Sequence, residues 1–107
     1  MEPLLIITNF PDEKQAHALA SRLVENRLAA CVNIMAPCRS VYRWKEKIES
    51  DSEIPVFIKC LAAHYSEIEK VIQTMHPYEL AEIIAVPVSK GLPAYLQWIA
   101  DETVSTS

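Results

Sequence analysis

The sequence of 107 residues contains a single glycine, Gly91. Loops that cradle phosphate groups need several glycines, because backbone amides must approach the ligand closely. A P-loop, a dinucleotide-binding fingerprint and a Gly-x-Ser-x-Gly nucleophile elbow are therefore excluded. The large classes of nucleotide-dependent enzymes and serine hydrolases that use these loops are excluded with them.

Cysteine is also scarce, with only Cys31, Cys38 and Cys60 in the chain. The number is odd and no Cys-x-x-Cys occurs, which argues against a disulfide framework and a structural zinc ribbon. Cys31 and Cys60 lie in apolar segments and are predicted to be buried. Cys38 lies between Pro37 and Arg39 and is predicted to be exposed, without a general base beside it in the sequence.

Long apolar runs and basic runs are absent as well. No apolar stretch approaches the roughly 20 residues that span a bilayer, and the N-terminus lacks the basic segment of a signal peptide. The net charge is −4, from 10 basic and 14 acidic residues. These features predict a cytoplasmic protein whose partners are neither membranes nor nucleic acids. They suit a single domain over residues 1–107, with 103–107 as a disordered tail.

Hydrophobic periodicity, together with the residues that begin and end helices and strands, predicts seven secondary-structure elements. Asp12 and Gln15 have the spacing of a capping box at a helix start, and Pro77 must end a helix before it. The predicted strands cover 3–10, 28–44, 53–60 and 80–88, and the predicted helices cover 12–26, 64–75 and 94–99. The second strand is interrupted at Ala36-Pro37, where a proline suggests a bend or an edge.

This order predicts an α+β fold of the ferredoxin-like βαββαβ type, with a long hairpin between its second and third strands and a short C-terminal helix. The polar link at 45–52 has no glycine, so a tight primed turn is not expected there. Helices on one face leave the other face of the sheet uncovered. Packing between subunits is the economical way to cover it.

The stretch "TMHPYE" at 74–79 combines an imidazole, a phenol and a carboxylate. His76 has two interpretations. It is either a helix-ending histidine that complements the helix dipole, or a metal ligand at a subunit boundary. One histidine is not a metal site, so the residues alone favour the first interpretation. His17 and His64 are predicted to be surface residues.

Four segments together resemble the CutA family of divalent-cation tolerance proteins. They are "LAACVNI" at 28–34, "SVYRWKEKIE" at 40–49, "HPYELAEIIAVPV" at 76–88 and "YLQWI" at 95–99. The resemblance covers residues 3–99. It implies a homotrimer in which hairpin strands of neighbouring subunits pair. It also implies a role in tolerance of, or response to, metal ions, above all copper, with neither enzymatic activity nor an organic cofactor.

The chain departs from the family at positions that matter for metal. Relatives proposed to bind copper have a cysteine and a second histidine where this chain has Thr8 and Met75, so His76 is the remaining metal-ligand candidate. Met75 also lies on the apolar stripe of its predicted helix, where core packing explains it. Lys45-Glu46 replaces the family's usual Glu-Gly and is expected to reshape the hairpin tip.

The resemblance also suggests a pocket between subunits. Its candidate residues are Tyr42, Trp44, Lys47, Glu49, Lys59, Tyr78 and Glu79. Packing in the core or at the trimer interface is the favoured explanation of Tyr42 and Trp44, whereas the charged residues are open between solvated strand charges and the lining of a cleft. The alternative function is a non-enzymatic regulatory or interaction module that binds a small molecule or a protein in this cleft. That alternative rests on fold-level analogy with trimeric P-II proteins.

Overall fold

The computed structural model describes residues 2–105, which form five strands and three helices. The elements are β1 (Pro3–Phe10), α1 (Glu13–Glu25), β2 (Cys31–Ile34), β3 (Cys38–Trp44), β4 (Lys47–Leu61), α2 (Tyr65–Met75), β5 (Ile83–Pro87) and α3 (Pro93–Asp101). A 3₁₀ turn, Ala62–His64, precedes α2. The predicted α+β class is confirmed. None of the helices in this part of the chain is long and apolar enough to cross a membrane.

The sheet is antiparallel throughout, in the order β2-β4-β1-β5. β1 lies inside the sheet, as its continuous apolar sequence predicts, because Thr8 pairs with Val56 on one side and with Ile83 on the other. β4 is the longest strand. Its inner part pairs with β1 and β2, and its outer part, from Lys47 to Glu53, pairs with β3 alone.

The predicted second strand is divided into β2 and β3, which both pair with β4. The break at 35–37 contains Ala36-Pro37, and proline cannot donate a ladder hydrogen bond. The long hairpin is consequently formed by β3 and the outer part of β4. It extends the molecule to 45 × 26 × 22 Å.

The hairpin tip differs from the prediction. Trp44 pairs with Lys47, so the connection has only two residues, Lys45 and Glu46. Their φ angles are 48° and 69°, and positive φ at both positions is the requirement of a type I′ turn. The expectation that this link is not a tight primed turn is wrong. Ladder pairing on both sides of the tip holds two non-glycine residues in a conformation that each disfavours.

One face of the sheet forms the core with α1 and α2. Along β4 the buried residues alternate with half-buried ones from Ile54 to Cys60, as expected for a strand covered on one side. Leu19 and Leu23 of α1 and Ile72 of α2 are fully buried against this face. α1 begins where the sequence predicts, because the Gln15 amide donates to Asp12 Oδ1 at 2.8 Å.

The opposite face of the sheet is incompletely covered. Ile84 and Val86 of β5 pair with Ile7 and Leu5 of β1 on this side, and they are 51% and 45% exposed. α3 lies at one end of the face, where Lys59 Nζ is 5.8 Å from the Tyr95 ring centroid. The rest is an apolar surface on an otherwise packed domain.

The C-terminal residues correct two predictions. Thr103 is buried, and its hydroxyl donates to the Ile99 carbonyl at 3.1 Å. The Val104 amide donates to the Arg27 carbonyl at 2.8 Å. A disordered tail is therefore wrong at these two residues, and residues 106–107 lie outside the described range. His64 is buried with Nε2 3.1 Å from the Val104 carbonyl, so its predicted surface position is wrong. His17 is exposed as predicted.

Candidate functional site

The segment after α2 takes the shape that Pro77 dictates. α2 ends at Met75, and His76 is extended with φ −80° and ψ 133°, as the residue before a proline prefers to be. Its amide still donates to the Ile72 carbonyl at 2.8 Å. The predicted start of the last strand at residue 80 is wrong, because residues 76–82 are irregular and β5 begins at Ile83.

The imidazole of His76 is held on both nitrogens. Nε2 bonds the Asn9 carbonyl, and Nδ1 accepts the Tyr78 amide proton at 3.2 Å. A carbonyl only accepts and an amide N–H only donates, so a single neutral tautomer with the proton on Nε2 satisfies both bonds. The ring centroid lies 4.3 Å from that of Phe10 and 4.7 Å from that of Tyr78. His76 therefore fastens the segment that follows α2 to the end of β1.

This arrangement bears on the predicted metal role of His76. The Nδ1 lone pair that a metal needs is already used by the Tyr78 amide. Met75 packs against the core, and Thr8 is fully buried on the core face of β1. Within residues 2–105, no group of three His, Cys, Asp or Glu side chains is placed to hold a metal ion. A ligand role for His76 requires the ring to give up its bond to Tyr78.

Next to His76 lies a cleft of about 1020 Å³ between the hairpin and residues 78–84. Its aromatic walls are Tyr42, Trp44 and Tyr78, its carboxylates are Asp51, Glu53, Glu79 and Glu82, and its guanidinium is that of Arg43. Four anionic groups therefore face one cationic group among the described lining residues. The strand pairing explains the anionic wall, because the alternate residues Asp51 and Glu53 of β4 lie on the same face of the hairpin as Tyr42.

The pKa values of the two phenols of the cleft are both raised, by neighbouring carboxylates and by burial. The Tyr42 hydroxyl donates to Asp51 Oδ2, and this bond, with smaller contributions from burial and from the charges of nearby carboxylates, raises the pKa of Tyr42 to about 12. Burial raises the pKa of Tyr78 to about 12, with further contributions from Glu53, Tyr42 and Asp51. Glu53 itself is only 8% exposed. Both phenols are therefore neutral hydrogen-bond donors at any physiological pH.

At the edge of the cleft, Lys45 interacts with two groups of its lining. Its ammonium lies 3.4 Å from Glu79 Oε2 and 5.5 Å from the Trp44 ring centroid. Both partners of the ion pair are about two-thirds exposed, so the pair contributes little to stability. The pair shows that this edge of the cleft can hold an ammonium group close to both an aromatic ring and a carboxylate.

The structure brings together four of the seven predicted pocket residues, namely Tyr42, Trp44, Tyr78 and Glu79. Lys47 and Glu49 pair with Trp44 and Tyr42 on the same hairpin face but do not line the cleft. Lys59 lies apart from it, in a second pocket of about 240 Å³ beside α3. The predicted set is therefore divided between three places.

Sequence reasoning missed Asp51 and Glu53. A signal for them was present, because Glu49, Asp51 and Glu53 repeat at a period of two along one strand. The predicted start of this strand at residue 53 hid the repeat, since Glu49 and Asp51 were assigned to a link. The cysteines are free thiols. Cys60 is buried and Cys38 exposed, as predicted, whereas Cys31 is only half-buried, because it lies on the short outer strand β2.

Comparison with known proteins agrees with this fold. The CutA1 divalent ion tolerance protein family matches residues 4–102. Protein CutA of Mus musculus is 45% identical over 97 residues, which cover 91% of this chain and 55% of the mouse protein, so the chain spans about half the length of that relative.

Solved structures give the same result in three dimensions. CutA1 from the psychrotrophic bacterium Shewanella sp. SIB1 superposes with a TM-score of 0.94 at 46% identity, covering 97% of both chains. The periplasmic divalent cation tolerance protein CutA from Archaeoglobus fulgidus has a TM-score of 0.91 at 34% identity, covering 94% of this chain and 97% of that one. The chain belongs to the family of CutA1 divalent ion tolerance proteins.

Proposed function

We propose that this protein serves the tolerance of divalent cations without catalysing a reaction, as a homotrimer that binds the metal ion weakly. Family membership over residues 4–102 supports the biological role. The observation that carries the binding step is the cleft beside the hairpin, with its four carboxylates and two neutral phenols. Carboxylate oxygens are ligands for divalent ions, and the net charge of −4 favours cations over nucleic acid.

The homotrimer is supported by the sheet face that the described residues leave open. Ile84 and Val86 expose apolar surface there, and the hairpin reaches away from the core where a neighbouring subunit could pair with it. An assembly of this kind would place the cleft near a subunit boundary. A cytoplasmic location stays a prediction.

Weak binding follows from the geometry. No three ligands converge within the described part of the chain, and transition metals are held tightly by three or four. Carboxylates that reach a metal one or two at a time give low affinity and little selectivity. His76 would add a ligand through Nδ1 only where the Tyr78 amide releases it.

Calorimetric titration with Cu(II) and Zn(II) tests this proposal, together with native mass spectrometry. We expect a complex of three 12.1 kDa protomers and weak, saturable metal binding. Asp51→Asn should weaken the binding, whereas the matched Glu67→Gln on the outer side of α2 should not. Metal binding that is lost only in His76→Ala would assign the metal to the imidazole instead. A monomeric mass or no heat of binding would contradict the proposal.

The cleft also favours a second candidate, a regulatory or interaction module that binds a small molecule between subunits. Its volume of about 1020 Å³ reaches the upper range of small-molecule sites. A thermal-shift screen of small metabolites in the presence of a chelator separates the two candidates. Stabilisation that does not need metal supports the module, and stabilisation by divalent ions alone supports the first proposal.

A further inference from the structure

The walls of the cleft combine two features that are seldom needed together for metal binding. Three aromatic rings, those of Tyr42, Trp44 and Tyr78, lie among four carboxylates. A divalent metal ion uses the carboxylates and gains little from the rings. An organic cation uses both, because its charge is attracted to the negative face of a ring and its apolar stem is removed from water by the same ring.

The chain already contains an example of this recognition. The ammonium of Lys45 lies 5.5 Å from the Trp44 centroid and 3.4 Å from Glu79 Oε2. It occupies the exposed edge of the cleft, where water weakens both interactions. Deeper in the cleft the same pair of groups recurs without a lysine of the described chain, as Tyr78 beside Glu53.

The deeper position is the better one for a cation. Glu53 is 8% exposed, so its carboxylate is screened from water much more than that of Glu79 at the edge. Tyr42 and Tyr78 are neutral at physiological pH, and because their hydroxyls donate to Asp51 and Glu53, a cation would contact the faces of their rings. Arg43 is the cationic residue of the described lining, and its single positive charge leaves the four carboxylates in excess.

We propose that this cleft binds a small organic cation, with its ammonium group between Tyr78, Tyr42 and Glu53 and its apolar stem against Trp44. The ligand class is a primary or quaternary amine with an apolar stem. Its charge complements the four carboxylates of the lining, and the cleft holds a molecule of this size easily. The inference does not depend on metal binding, because an organic cation uses the aromatic rings in addition to the carboxylates.

Fluorescence of the assembled full-length protein tests the inference. Trp98→Phe leaves Trp44 as the only tryptophan, and Trp98 lies on α3, away from the cleft lining. Benzylamine and benzyltrimethylammonium are titrated in the presence of EDTA, with benzyl alcohol as the neutral control. We expect a saturable change of Trp44 emission with the two cations and not with the alcohol. Equal responses to the amine and the alcohol, or none to either, would overturn the proposal.

Charge-neutral variants locate the ligand. Glu53→Gln should weaken benzylamine binding about fivefold or more, because a charge pair in a partly desolvated site is lost. Asp51→Asn should weaken it in the same direction, and Glu67→Gln on α2 should leave it unchanged. Lys45→Gln should strengthen binding, because it removes the competing ammonium from Trp44 and Glu79. Unchanged binding in both cleft variants, or weaker binding in Lys45→Gln, would contradict the assigned position.

The same experiments separate this inference from the proposed function. A protein that binds Zn(II) in calorimetry but gives no response to benzylamine keeps the proposed function and loses the amine site. A protein that binds benzylamine in EDTA but no metal keeps the amine site and loses the proposed metal-binding function.

Discussion

Replacement of His76 by leucine separates the structural role of this side chain from a metal role. Leucine has a similar volume but supplies neither of the two hydrogen bonds that hold the imidazole. His76 is 9% exposed, so the Asn9 carbonyl loses a hydrogen-bond partner that is almost fully buried. An unsatisfied buried polar group costs about 1–3 kcal/mol.

The other bond contributes less. Tyr78 is 38% exposed, so water can replace the imidazole as the partner of its amide. Loss of this bond therefore costs about 1 kcal/mol, the lower end of that range. Loss of the ring contacts to Phe10 and Tyr78 adds about 0.5–1.5 kcal/mol. Together these effects predict that His76→Leu lowers the free energy of unfolding by about 2.5–5.5 kcal/mol.

The assay is urea unfolding followed by circular dichroism, at pH 7 and at a fixed protomer concentration, because assembly makes stability concentration-dependent. His17→Leu is the matched control, since His17 is exposed on α1 and should change stability by no more than about 0.5 kcal/mol. The loss in His76→Leu should be the same with EDTA and with added zinc. A stability in EDTA equal to that of the wild type would refute the structural role, and a loss seen only with zinc would support ligation.

Three further predictions follow from the fold. Glu46→Gly should raise the free energy of unfolding by about 1 kcal/mol in urea titrations, because φ 69° strains a residue with a Cβ atom, and Glu49→Gly in the β4 ladder should lower it. Ile72→Ala should cost about 2–5 kcal/mol, since the side chain is fully buried, and Gln73→Ala beside it should cost far less. Burial raises the pKa of Cys60 from 9.0 to about 12, so the unfolded thiol ionises first and stability falls as pH rises through that interval. The slope of unfolding free energy against pH above 9 should be smaller in Cys60→Ala, and an unchanged slope would contradict the burial argument.

Much of the fold could be predicted from hydrophobic periodicity and from the residues that begin and end the helices. The bounds of β1 were predicted correctly, and α1 begins after the Asp12 cap as its spacing requires. Pro77 ends α2 because it forbids helical geometry in the preceding residue. These features are local, so a short window of sequence is sufficient to determine them.

The errors occurred where distant residues decide the conformation. Lys45 and Glu46 adopt positive φ because two long strands pair on either side of them, which no property of the two residues indicates. Residues 103–104 are ordered because Arg27 and Ile99 supply hydrogen bonds from elsewhere in the chain. Their position at the C-terminus of the sequence alone suggests a tail.

In the candidate site, too, locally determined features could be predicted and features that depend on distant residues could not. The aromatic residues of the hairpin and the "HPYE" motif could be placed near one another through the family resemblance. Asp51 and Glu53 share one strand face by their period of two, but which side chains they meet depends on the register of β3 against β4. The bonds that occupy both nitrogens of His76 depend on its position across the fold from Asn9.

The most direct test of the proposed role is growth at raised copper of a bacterial host that lacks its own CutA1 protein. The account predicts that this chain restores growth. It also predicts that the double variant Asp51→Asn, Glu79→Gln, expressed to the same level and with the same native mass, restores it less. No gain in copper tolerance from the wild-type chain would contradict the proposed function, and equal rescue by both chains would remove the cleft from it.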